Sequence, residues 1–159
     1  MSFTITKGQG ATEYLVLLAV VLIVAMVAIA LLGFFPGMSY DAKKSEADSY
    51  WQSARPFEIR QHAQAGDNLT LVVSNVASDQ LELTNLYVAG GGAVGSVDPS
   101  LYLSGGQTAS ISLLGMNASC PSSGTVYEYS INFTYDGTGD NAIAGQKQYG
   151  AKTIIGKCS

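Results

Sequence analysis

Hydrophobic and polar positions change their period twice along this chain. From Tyr14 to Phe35, 22 residues run without a charge, an amide or a hydroxyl other than that of Tyr14 itself. The stretch is apolar on every side of a helix, so it offers no stripe to water. At ~1.5 Å per residue it is about 33 Å long, enough to cross a bilayer core of about 30 Å. Gly33, Pro36 and Gly37 follow, and proline predicts a kink or an end there. A second helical stretch is predicted from about Ser39 to Ala54, with Tyr40, Ala47, Tyr50, Trp51 and Ala54 clustered on one face. Asp41 with Lys44, and Lys44 with Asp48, are spaced to pair. Trp51 reads as the anchor that seats a globular domain. Pro56 disfavours a helical Arg55, so the helix is expected to stop before it.

From Phe57 the period becomes two. Phe57, Ile59 and Gln61 alternate with Glu58, Arg60 and His62, and Leu69, Leu71 and Val73 with Thr70, Val72 and Ser74. Leu81 and Leu83 open a strand that can run to Val88; Leu101–Leu103 and Ser110–Leu114 are short pieces. Thr125–Tyr135 is the clearest strand, with Tyr127, Tyr129, Ile131, Phe133 and Tyr135 on one face. A last strand is expected over Gln146–Ile155. Short strands with Gly105-Gly106 and Asp136-Gly137 as turns predict an antiparallel β-sandwich of immunoglobulin-like type. The expected fold is α+β, a long hydrophobic N-terminal helix followed by that sandwich.

Charge sharpens the picture. Only 13% of the residues are charged and 47% are hydrophobic, against about 25% charged in ordinary soluble domains. Between Glu13 and Asp41 there is no charge at all, which excludes an ordinary cytosolic globule. Eight Lys and Arg and a net charge of −4 argue against a nucleic-acid partner, which needs a basic face. Residues 57–159 hold 12 charged side chains against 19 Ser and Thr and 14 Gly, a polar but weakly charged surface.

The residues before the apolar run narrow its meaning. A secretory signal peptide has an apolar core of about 7–15 residues. Ala28-Ile29-Ala30 offers a small-x-small site that would free a domain at Leu31, but the run is longer and its basic start is Lys7 alone. A single-pass anchor explains the length and leaves Lys7-Gly8-Gln9-Gly10-Ala11-Thr12-Glu13-Tyr14 unexplained. These residues resemble the leader junction of the type IV pilin superfamily, most closely its archaeal members with class III signal peptides. That pattern is a basic residue and Gly, then Gln, then Glu as fifth residue of the mature chain, then an apolar helix. Lys7-Gly8, Gln9 and Glu13 fill those places. The bacterial Flp and Tad pilins share the Gly, four residues, Glu-Tyr core, whereas archaellins share the leader type and generally lack the Glu. The resemblance covers residues 1–35 and is only architectural beyond them.

The resemblance implies a leader at 1–8, an N-terminal helix at 9–55 and a β-domain at 56–159. Within the helix, 14–35 would be the membrane span and filament core, and 38–54 its amphipathic extension. It implies cleavage by prepilin peptidase after Gly8 and extraction by an assembly platform and ATPase into a homopolymer. The product would be an extracellular filament of adhesive role, its precursor held in the membrane. Nothing in this reading is an enzyme or needs a cofactor. Cleavage would create an α-amine on Gln9, one helical turn from Glu13 and on the same face. An isolated carboxylate in an apolar surround is costly, so the two charges would stabilise each other within or between subunits. The resemblance gives Glu13 the role of setting axial register; the plainer alternative has its charge reach water at the membrane boundary. As a whole, the alternative to a filament subunit is a membrane-anchored surface protein whose sandwich binds a sugar or a protein without polymerising.

Cys120 and Cys158 lie in the region that would be exported, where two cysteines most often pair. A metal site would need more ligands, and His62 is the only histidine, with no distinctive partner in sequence. Three N-x-S/T sequons begin at Asn68, Asn117 and Asn132; the resemblance, to glycosylated surface proteins, makes each an N-glycosylation candidate. Gly90, Gly92 and Gly95 spell GxGxxG, but Ser96-Val97-Asp98-Pro99 after them gives no helix to hold a phosphate, so a flexible loop is expected. Asp136–Asn141 lacks the spacing and terminal Glu of a calcium loop. No catalytic constellation can be assembled.

Overall fold

The computed structural model describes residues 9–116, 119–139 and 142–159. Lys7 and Gly8 of the expected cleavage site, and Asn117, lie outside them. The chain is α+β: an apolar N-terminal helix, α1 (Gln9–Ser53), precedes strands that, among the described residues, number nine and pair only antiparallel. Two compact units divide it, with the boundary between Ala42 and Lys43, so the last turns of α1 belong with the strands. Of the kink or end that Pro36 predicts, the end does not occur: α1 continues through it to Ser53. Proline removes one N–H and disturbs one turn, and the helical hydrogen bonds on either side of it propagate the rest.

Strands β1 (Phe57–Ala65), β2 (Asn68–Asn75) and β6 (Thr108–Leu113) form a three-stranded sheet in the order β1-β2-β6. The larger sheet has the order β4-β3-β7-β8, built from β3 (Leu81–Gly90), β4 (Ala93–Val97), β7 (Val126–Gly137) and β8 (Gln146–Tyr149). On its rims β5 (Leu101–Leu103) also pairs with β3 and β9 (Ile154–Lys157) with β7.

Three local readings of the sequence are corrected here. Register slips between Ile59 and Gln61, and a one-residue bulge sends every later side chain to the other face. Gln61 is therefore exposed, while His62 and Gln64 turn inward. The glycine-rich segment is a hairpin: Gly91 and Gly92 both have positive φ (56° and 83°) and connect Gly90 directly to its partner Ala93. Two such residues make the turn whose twist matches its strands. The expected last strand is two strands, β8 pairing with Asn132–Tyr135 and β9 with Val126–Tyr129. The break falls where Trp51 enters, for its ring lies against Gly150 and its Nε1 donates to the Lys152 carbonyl at 3.1 Å.

One hydrophobic core joins both sheets, with Leu69, Leu71, Val73, Ile111 and Leu113 from the smaller and Leu83, Leu86, Val88, Ile131 and Phe133 from the larger. Trp51 of α1 and Ala54, just after its end, complete it. Three buried amides clamp one sheet to the other. Gln148 of β8 accepts from the Phe57 N–H at 2.9 Å and donates to the Phe57 carbonyl at 2.7 Å. Gln64 of β1 accepts from the Tyr129 hydroxyl at 2.6 Å and donates to the Met116 carbonyl. Asn75 of β2 donates to the Leu103 carbonyl of β5 at 2.8 Å. Each amide spends its polar atoms on groups that burial would otherwise leave unpaired.

Candidate functional site

The first candidate site is the surface of α1 itself. Thr12–Leu32 has a mean hydropathy of 3.4 and none of it is buried, so this helix is long and apolar enough to span a membrane. Leu15, Val16, Leu17, Ile23, Met26, Ile29 and Leu32 are all more than half exposed. At roughly 25 cal/mol per Å² of apolar surface, leaving such a cylinder in water is strongly unfavourable. Glu13 stands at its N-terminal end, exposed, with Thr12, Val16 and Leu17 around a shallow hollow. Positions 9 and 13 are four residues apart in α1.

The second is the cluster that seats the last turns of α1 on the strands. Trp51 is 2% exposed and meets Phe133 edge-on, with ring centroids 6.2 Å apart. The Tyr50 hydroxyl accepts from the Ala151 N–H at 2.9 Å. Lys152 pairs with Glu46 at 2.6 Å, and that hydrogen bond, followed by the charge of Lys152, lowers the Glu46 pKa. Beside them His62, read from sequence as having no distinctive partner, has two. Its Nδ1 is 2.8 Å from the Tyr127 hydroxyl and its Nε2 3.7 Å from Asp48 Oδ1. Asp48 is also paired with Lys44. Burial, reinforced by the Lys44 charge, pushes the His62 pKa down, with Asp48 opposing. Burial thus favours the neutral ring, whose Nδ1 is within hydrogen-bond distance of the Tyr127 hydroxyl and whose Nε2 faces Asp48. Alternation could not reveal this, because it is the bulge after Ile59 that turns His62 toward the helix.

Cys120 and Cys158 form the disulfide, their Cα atoms 5.7 Å apart, both buried. It ties the approach to β7 to the residue after β9. Asn68 is exposed at the head of β2, directly after the β1–β2 turn. Asn132 lies instead in mid-strand on β7, half-buried and paired on both sides. On the same sheet, the Tyr102 pKa is raised by its hydrogen bond to Glu82, then by that carboxylate's charge. Among the described residues, no group of three His, Cys, Asp or Glu is placed to hold a metal ion. No protein-family model matches the chain, and no curated protein matches its sequence.

Proposed function

We propose that this chain is the precursor of a structural subunit of an archaeal type IV pilus-like surface filament. The observation that carries the reading is the uncovered apolar cylinder Thr12–Leu32 with one carboxylate, Glu13, at its end. Such a surface needs lipid or other helices on every side. Lys7-Gly8-Gln9 places a peptidase site just before it, so that cleavage would leave the cylinder attached and free to exchange lipid for neighbouring copies. In the filament, Glu13 would neutralise a Gln9 α-amine and fix the axial register of the helices. Prepilin peptidase, an assembly platform and an ATPase would be its processing partners.

The β-domain would be the outward, adhesive head, and we read its two sheets around one core as an immunoglobulin-like sandwich; the all-antiparallel pairing and the single shared core support this. Of the two sequon asparagines that the structure describes, Asn68, exposed beside a turn, is the better placed to carry a glycan. Sequencing the N-terminus of the mature protein tests the reading. A start at Gln9 is expected; Met1 would mark an anchor and Leu31 a secreted domain, and either overturns it. A Glu13→Ala chain that is cut and still assembles normal filaments would remove Glu13 from the mechanism.

A further inference from the structure

The outer face of the larger sheet carries a row of partly or largely exposed side chains. Tyr87 of β3 stands opposite Asn132 of β7, and Asn132 opposite Tyr149 of β8. Their strand neighbours Leu86, Val88, Ile131, Phe133 and Gln148 are buried, so the row points outward. Tyr87 is 39% exposed and Tyr149 65%. Two strand spacings put the tyrosine Cα atoms roughly 9.5 Å apart, with the carboxamide between them. Among the described residues, none of these three side chains has a hydrogen-bond partner in the chain.

We propose that Tyr87, Asn132 and Tyr149 form a binding platform for a neutral oligosaccharide. A pyranose ring presents an apolar C–H face and a rim of hydroxyls. The exposed face of a tyrosine ring takes the first, with its phenol at the edge for the second. The Asn132 amide supplies one acceptor and two donors midway, and two rings at this spacing match two sugar units of an extended, flat chain. Charge complementarity selects the same occupant, since the row contains no charge. The closest charged side chains on this face are one row away: Lys147, opposite Thr134, and Asp98, held by Asn85. One lysine gives a nucleic acid no phosphate track. The flanking positions Asn85, Ala89, Ser96, Ser130 and Thr134 are small or polar, with Val94 an exposed aliphatic opposite Ala89, so the tyrosines have little of the apolar surround of a protein hot spot.

This inference rests on the adhesive part of the reading above, because it names what the head would hold. The test uses the full chain in a detergent without a sugar headgroup, titrated calorimetrically with cellohexaose and with chitohexaose. At least one is expected to bind. Tyr87→Ala, Tyr149→Ala and Asn132→Ala should each weaken binding about tenfold, with thermal unfolding unchanged because the three side chains are exposed or half-buried. Binding of neither sugar, binding that survives both tyrosine substitutions, or a glycan found covalently on Asn132 would overturn the platform. Filament formation scored on the same preparations separates the two readings. Filaments without sugar binding sink the platform alone, whereas sugar binding by a chain that keeps Met1 sinks the filament and leaves the platform standing.

Discussion

Trp51→Ala should cost this protein about 3–5 kcal/mol, the range for emptying a buried tryptophan site. Trp51 is 2% exposed, and its indole fills space between α1, Phe133 and the break separating β8 from β9. No neighbouring chain segment is free to collapse into that space, since Gly150 is pinned by its N–H to the Ile131 carbonyl at 3.0 Å. The lost Nε1 hydrogen bond adds little, because Lys152 sits on an exposed turn where water replaces the indole. Trp51→Phe keeps the edge-on ring contact and should cost about 1–2 kcal/mol. Gly150 supplies an internal control. A Cβ there would stand 2.4 Å from the Trp51 ring and 2.7 Å from the Ile131 carbonyl, so Gly150→Ala alone should cost about 1–3 kcal/mol by overpacking. In the Trp51→Ala background the ring clash is gone and the carbonyl clash remains, which predicts a coupling of at least about 1 kcal/mol. Urea unfolding followed by circular dichroism measures all four chains. A Trp51→Ala cost below about 1 kcal/mol, or additive costs in the double variant, would refute the claim that this ring seats the helix.

Two further predictions follow from the same domain. Replacing both Cys120 and Cys158 by serine releases a loop with a sequence separation of 38; the chain-entropy model gives a loss of about 4 kcal/mol, and an unfolding midpoint indifferent to both substitution and reductant would contradict it. His62, whose folded pKa lies below its ordinary value of 6.5, binds fewer protons folded than unfolded in the window beneath that value. It therefore contributes stability that is complete above about pH 6.5 and is lost as pH falls through the folded pKa. Lys44 and Asp48 from α1, Arg60 on its own strand and Tyr127 from β7 are the charged or titratable groups around it. His62→Gln should flatten this part of the pH profile, and a wild-type-minus-variant difference that stays constant from pH 7 to 5 would show that the buried ring is not its source.

What the sequence makes legible is local. The apolar run can be counted, because a membrane-length helix needs only contiguous residues. Alternation marks the core faces of β2 and β7, where Leu69, Leu71 and Val73, and Tyr127, Tyr129, Ile131 and Phe133, are all buried. Trp51 and the cysteine pair are legible because a tryptophan at the end of an amphipathic helix most often packs and two lone cysteines most often pair. The rest depends on groups brought together from distant segments. A bulge has no residue signature of its own at Arg60, yet it decides that His62 meets Asp48. Gly150 looks like an ordinary turn glycine until the Trp51 ring is seen against it.

The same limit shows why composition misleads about the head. Its scarcity of charge reads as a uniformly polar coat, but the structure sorts the uncharged residues into opposite duties. Gln64, Asn75 and Gln148 are wholly or nearly buried and clamp the sheets. Asn132, chemically equivalent to Asn75, stands on the outer face between two exposed tyrosines. A buried amide without partners costs about 1–3 kcal/mol, so the first three are held in place by stability alone. The half-buried, outward amide of Asn132 has no such partner among the described residues, and the Tyr149 ring beside it is 65% exposed, where burial contributes little to the fold. That asymmetry points to a ligand on this face rather than at the buried amides, whose partners the chain itself supplies.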